Sequence, residues 1–554
     1  MQQEAQAEER REQQEERRAK QERDHEFRLM SMLTKVLSSS RGTEDQSAST
    51  SRETLPVPST SQTYLLPNSA KAVPSMLWGD QTAQYSPYLS RRGNSMRLHQ
   101  GVLQEGYNQY HANVHDENSN PHGIINLGTS ENKLCFDLLQ KRVRDIMIYL
   151  FKRKNPIIKR IVPVLDSDWL SHLMRPDMLQ IEPAILQYPD WKGHSFLREE
   201  VAKFLSDYCH SPKPLKPKNV VVMNGCGSLF SALAATLCDP EDAILIPSPF
   251  YGVITEDVDL YSSVKLHHVP LYSQVPTGSD VRPFQLTVEK LENSLKEAKK
   301  EGLNIKALIL LNPHNPLGEV YSSEEMISFL EFAKMHKLHV LVDEIYMLSV
   351  FNKTDTFRSV LSLDGLPDPQ RTHIMWGVSK DFAMSGMRVG MVYSENRDLV
   401  QALDQLGCFH GVPGPTQYQM AQLLRDRDWL NSEFLPENRQ RLREAHSFMT
   451  EELKKLDIPF LHRSAGFFIW ADLSKYLSEK TFAEELSLWR CFLKHKVLLS
   501  CGQAFSCVSP GWFRIIFTDQ LHKLKLGLSI PELAAGQDPT QLDVFTDLLD
   551  KARK

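Results

Sequence analysis

THIMWGVSKDFAMSGMRVG, residues 372–390, joins an apolar run to a lysine, and two glycines and an arginine follow closely. THIMWGV reads as a buried strand, so Lys380 stands near a strand's carboxyl end. An amine partly desolvated at such a place becomes a usable nucleophile. Most lysines are solvated surface charges, so the reading of this one rests on what the rest of the chain brings beside it.

The same pattern recurs to either side. NVVVM (219–223) leads into NGCGS (224–228) and then the helical LFSALAATLC. AILIP (243–247) is another short apolar run. KALILL (306–311) runs into NPHNPLG (312–318) and a helical SSEEMISFLEFAKMHK, with Ser322 or Ser323 as its N-cap. HVLV (339–342) runs into DEIY (343–346). Short Val/Ile/Leu runs separated by helices indicate an α/β fold with a mostly parallel sheet and crossover helices. In such sheets the binding groups gather at the carboxyl ends of the strands.

Each loop offers a different chemistry. In NGCGS, Gly225 and Gly227 allow close backbone approach, and a helix N-terminus presents unpaired N–H groups to a phosphate. Asp343 ends a very apolar strand, where a lone carboxylate is costly without a cationic partner, although an N-cap is the simpler reading. NPHNPLG is a rigid turn that aims two asparagines from a strand end. Ser379, Lys380 and Arg388 add a hydroxyl, an amine and a guanidinium fork suited to phosphate. Together they fit a ligand with a phosphate, an aldehyde that condenses with an amine, and a ring nitrogen that favours an anion beside it. Pyridoxal phosphate has all three.

Six motifs in order carry a resemblance: NPHGIINLGTSENKLCFDLL (120–139), NPHNPLG, DEIY, SKDFAMSGMRVG, SAGFFIWADL (464–473) and SPGWFRIIF (509–517). With them the chain resembles the fold-type I pyridoxal-phosphate enzymes of the class I/II aminotransferases over roughly residues 85–533. Within that group it is most similar to 1-aminocyclopropane-1-carboxylate (ACC) synthases and their animal ACC synthase-like relatives. The resemblance implies a large cofactor domain over 181–410. It also implies a smaller α/β domain built from an N-terminal arm, 85–180, and a C-terminal part, 411–535. It makes Lys380 the lysine that binds the cofactor's aldehyde and Asp343 the partner of the ring nitrogen. Asn315 and Tyr346 bond the phenolic oxygen, and Tyr251 stacks on the ring. Gly227, Ser228, Ser379 and Arg388 hold the phosphate. Arg514 grips the substrate carboxylate, and Glu131 falls on the glutamate of the ACC-synthase AEN segment.

Two positions depart from the pattern. Trp191, in PDWKG (189–193), replaces a tyrosine that reaches the phosphate from a neighbouring subunit, and Gly227 replaces a threonine. The implied assembly is a homodimer with shared sites, acting on a small-molecule amino acid. After Lys380 removes the α-proton, two fates stay open: transamination, or expulsion of a γ-substituent as in ACC formation. The two departures count against the second. A reading from another class is a protein that binds cofactor or a partner without significant turnover.

Composition sets the compartment. The 554 residues carry a formal net charge of -5, with 24% charged and 41% hydrophobic residues, which gives no hint of a nucleic-acid partner. No apolar run is long enough to span a membrane or serve as a signal peptide, and the eight scattered cysteines suit a reduced, cytoplasmic protein. Adjacent His267 and His268 would point to opposite faces of a strand, so no metal site is expected. Residues 1–84 run from a Glu/Gln/Arg-rich stretch to a Ser/Thr/Pro-rich one and read as disordered, with a docking helix conceivable at 27–37; 536–554 is a C-terminal tail.

Overall fold

The computed structural model describes residues 102–138, 185, 187–274, 282–352 and 356–529. The N-terminal segment with the helix considered at 27–37, much of the arm between 139 and 184, and the tail at 536–554 lie outside the described residues.

Helix α1 (Val102–Ala112) and the short strand β1 (Ile125–Asn126) come first, followed by α2 (Ser195–Tyr208). The main sheet is built from β2 (Val220–Met223), β3 (Ala243–Ser248), β4 (Lys265–Pro270), β5 (Ile305–Leu311), β6 (His339–Asp343), β7 (Thr372–Gly377) and β8 (Gly390–Ser394). Its order is β2-β8-β7-β6-β5-β3-β4, parallel from β4 through β7, with β8 antiparallel to both its neighbours. Helices α3 (Cys226–Leu237), α4 (Val288–Lys300), α5 (Ser323–Met335) and α6 (Arg397–His410) lie between and beyond these strands in the chain.

The apolar runs follow from burial on both faces. Along β5, Leu308 and Leu310 join one core cluster with α5, while Ala307, Ile309 and Leu311 join another with α3. Val220 and Val222 of β2 divide from Val221 and Met223 in the same way. Each large apolar side chain so removed from water contributes about 1.5–3 kcal/mol, which favours apolar residues on both faces. Ser322 caps α5: its hydroxyl accepts from the Glu325 amide at 3.2 Å, and the Glu325 carboxylate accepts from the Ser322 amide at 2.9 Å.

A third core cluster joins α7 (Leu435–Lys455), β9 (Phe468–Asp472), α8 (Phe482–Lys494) and β12 (Trp512–Ile516). Strands β11 (Ser500–Cys501), β12 and β9 make an antiparallel sheet, and β1 pairs in parallel with β10 (Val497–Leu498).

Strand direction positions the site. The carboxyl ends of β2, β3, β5, β6 and β7 share one edge of the sheet. Because β8 runs the other way, its beginning meets that edge, with Gly390 opposite both Met223 and Gly377. Arg388 is thereby delivered to the same rim. Gly390 is needed for packing, since a Cβ there would lie 2.7 Å from the Cys226 nitrogen.

Candidate active site

The segment NGCGS is less of a loop than its sequence suggests. Cys226, Gly227 and Ser228 already form the first turn of α3, and only Asn224 and Gly225 precede it. Gly225 has φ 111°, a left-handed conformation that favours glycine, and a Cβ there would strike Arg388 Nη2 at 2.5 Å. Among the described residues no side chain caps α3, which leaves its first N–H groups available to an anion. The Asn224 amide donates to the His410 carbonyl at 2.9 Å, while its buried Oδ1 has no partner among the described residues. Ser228 Oγ donates to the Asn224 carbonyl at 3.3 Å, and Ser379 is buried close by in the sequence to Lys380.

Lys380 sits in a helical turn, Val378–Asp381, immediately after β7. Its amine donates to the Ser130 carbonyl at 2.6 Å. Burial pulls the ammonium down to about 8, the Arg514 guanidinium pulls the same way, and Glu131, Cys226 and Asp343 oppose both. Asp343, at the end of β6, is pushed up to about 7 by burial, against the Ile345 amide and Lys380. Its Oδ1 accepts from the Ile345 N–H at 3.1 Å, which closes the turn after β6; no helix starts there, so the carboxyl does not act as an N-cap.

Arg514, on β12, is 1% exposed yet has no carboxylate partner among the described residues. Its Nη1 donates to Asn315 Oδ1 at 2.9 Å and its Nη2 to the Gly128 carbonyl at 2.6 Å, while Nε is buried without a partner among the described residues. The Phe505 and Phe468 rings lie 4.8 and 5.5 Å from its guanidinium. Asn312, the other asparagine of NPHNPLG, instead closes its own turn by accepting from the Tyr321 amide at 3.1 Å. Tyr346 Oη shares a hydrogen bond of 2.8 Å with Ser130 Oγ, and burial raises both its phenol and that of Tyr251. Glu131 accepts from Ser385 Oγ at 2.8 Å, tying the TSEN segment to the loop between Lys380 and Arg388.

Lys380, Asp343, Asn315, Tyr346, Arg514, Glu131 and Arg388 are thus linked by short contacts or felt charges around one rim. Trp191 is not among them. Its backbone packs where a Cβ at Gly407 of α6 would strike the Trp191 carbonyl at 2.2 Å, and its side chain is 43% exposed.

Several participants gave no sequence signal. The Ser130 and Gly128 carbonyls act through the backbone, which any residue supplies. Asp257 lies against Gly227 from an ordinary-looking segment, VITEDVDL. Cys226 is held well above the usual thiol range by burial, so it is a neutral neighbour and no nucleophile. His267 approaches Glu301 at 3.6 Å while His268 packs edge-on to Phe250, and among the described residues no three His, Cys, Asp or Glu are grouped to hold a metal. All eight cysteines are unpaired, and no described helix is long and apolar enough to cross a membrane.

Known proteins share this architecture. The chain aligns with the structure of Thermus thermophilus aspartate aminotransferase with maleate at a TM-score of 0.60 and 17% identity, covering 81% of this chain and 99% of that one. It is 56% identical to 1-aminocyclopropane-1-carboxylate synthase-like protein 1 of Takifugu rubripes over 84% of this chain and 70% of the relative. It is also 46% identical, over 79% of this chain and 72% of the relative, to a human protein named "Probable inactive 1-aminocyclopropane-1-carboxylate synthase-like protein 2". Residues 165–524 match the model for "Aminotransferase class I and II", a span that takes in the main sheet, the Lys380 turn and Arg514. A match of that extent, on a sheet whose rim gathers those same residues, means that the chain belongs to the class I and II aminotransferase family.

Proposed function

We propose that this chain binds pyridoxal phosphate at the rim and acts on an α-amino acid, by transaminase or ACC-synthase-like lyase chemistry. The observation that carries the reading is a buried amine at about 8 beside a buried carboxyl at about 7, with the Arg514 guanidinium close enough to depress the amine. The cofactor's parts fit the residues present: the uncapped α3 turn beside Arg388 for the phosphate, Lys380 for the aldehyde, Asp343 for the ring nitrogen. The unpartnered Asn224 Oδ1 and Arg514 Nε are polar atoms with bonding capacity in reserve. When bound, pyridoxal phosphate supplies an electron sink for the bonds at an amino acid's α-carbon.

The chain's own residues do the rest. Arg514 holds the carboxylate with its planar fork, in a place where desolvation strengthens the pair. Lys380, largely neutral above about pH 8, accepts the α-proton. Asp343 would hold the cofactor's ring nitrogen in its positive form, and Asn315 and Tyr346 would contribute hydrogen bonds. The division into a cofactor domain over 181–410 and a smaller domain from 85–180 and 411–535 belongs to the same proposal, as does a cytoplasmic location.

The test is the visible absorbance of the whole chain purified with pyridoxal phosphate, followed by a panel of amino acids and their decarboxylated amines. The expected result is a visible band that responds to at least one amino acid and not to its amine, which lacks the group Arg514 grips. No visible band overturns the reading. A band silent to every amino acid supports the second reading, cofactor binding without turnover. The exposed Trp191 and the naming of the human relative favour that reading.

We propose further that two copies pair through the face carrying Trp191. Trp191 and Phe409 expose aromatic surface, 43% and 77%, at the end of α6 that also bonds Asn224, and Tyr188, three residues before Trp191, is 99% exposed. The expected solution mass is that of two chains, and Trp191→Asp should shift it toward one. A single-chain mass for the cofactor-loaded wild type would refute the pairing.

A further inference from the structure

The first turn of α3 is flanked by opposite charges. A Cβ at Gly225 would meet Arg388 Nη2 at 2.5 Å, and a Cβ at Gly227 would meet the two Asp257 carboxyl oxygens at 3.0 and 3.3 Å. A guanidinium and a carboxyl therefore stand either side of Cys226. Asp257 is fixed in place: its N–H donates to the Val253 carbonyl at 3.0 Å, and its carbonyl accepts from Ser231 Oγ at 2.6 Å. The same hydroxyl lies 3.2 Å from the Gly227 carbonyl, which ties the Asp257 segment to the turn it faces. A carboxylate suits the N–H groups of a helix start. Once a phosphate takes those N–H groups, the carboxylate becomes a like charge.

Resting on the cofactor reading above, we infer that Asp257 makes this cradle selective for the charge of the phosphate: its protonated carboxyl donates to the bound phosphate, and its ionised form opposes it. The groups around it come from every neighbouring segment. Glu256 beside it and Asp343 at the end of β6 favour the proton, Arg388 favours the anion, and Cys226 between them stays neutral. Burial is the largest influence and holds Asp257 up to about 7. Gly227 then has a reason of its own, since a side chain there would compete with the carboxyl for space.

The experiment compares pyridoxal with pyridoxal phosphate on the whole chain, wild type and Asp257→Asn, by absorbance titration. Lys380 and Asp343 act on the aldehyde and ring that both compounds share, so their titrations cancel in the ratio of the two dissociation constants. In wild type, the preference for the phosphorylated compound should fall as pH rises from about 7 to about 8.5, a range in which the phosphate is mostly a dianion throughout. In Asp257→Asn, whose amide donates at every pH, the preference should hold and exceed wild type by about tenfold at the upper pH. Pyridoxal binding by the variant confirms that it is folded. Parallel ratios in the two proteins overturn this inference and leave the cofactor reading intact, whereas a wild type that binds neither compound overturns both.

Discussion

Lys380→Ala is expected to end covalent capture of pyridoxal phosphate and to slow α-proton exchange of a bound amino acid by about 10²–10⁴-fold, the range typical of a lost general base. The amine is the one that the turn after β7 brings to the rim, where burial and Arg514 hold it at about 8. That value sets a second expectation. Cofactor-free wild type should capture pyridoxal phosphate at a rate that rises with pH and levels off above about 8, because only the neutral amine attacks. A surface lysine would keep rising toward about 10.4. Borohydride reduction followed by peptide mapping locates the modified residue. Capture on a different lysine would refute the assignment, and a rate still climbing well above pH 9 would refute the depressed amine.

What could be read in the sequence was what burial dictates residue by residue. Strands covered on both faces must be apolar throughout, so VVVM, AILI, ALILL and HVLV announce a parallel sheet before any contact is known. Its carboxyl edge then tells where to look for Asn315, Asp343 and Lys380. The NGCGS segment misleads because Cys, Gly and Ser carry no helical stripe, yet their backbone already turns as α3. Asp257 could not have been found this way. It lies thirty positions from Gly227 in a segment that reads as ordinary surface helix, and only the packing of Ser231 brings the two together. The Ser130 carbonyl that receives Lys380 is a main-chain group, so no side-chain pattern announces it. Trp191 was legible by resemblance alone, and its exposed ring in a single chain is a question for the assembly.

Asp343→Asn is expected to act in opposite directions with and without cofactor. Without it, the carboxyl is buried with its titration raised from 3.8 to about 7. Between those values the folded chain holds a proton that the unfolded chain has released. Stability therefore falls as pH rises through that window and stays reduced above it. An asparagine has no proton to lose and its Oδ1 can still accept from the Ile345 amide. The cofactor-free variant should thus melt above wild type at about pH 8, with the difference shrinking toward about pH 4. With pyridoxal phosphate the order reverses. On the proposed reading the carboxylate would then partner a positive ring nitrogen, so removing it should weaken cofactor retention. It should also slow α-proton exchange by about 10²–10³-fold, the usual cost of losing one aligned electrostatic partner. Thermal unfolding at both pH values, with and without cofactor, reads the first effect, and loss of the amino acid's α-proton in heavy water reads the second. A cofactor-free variant less stable than wild type at pH 8 would refute the buried carboxyl with its raised titration. An unchanged exchange rate would refute its place beside the ring.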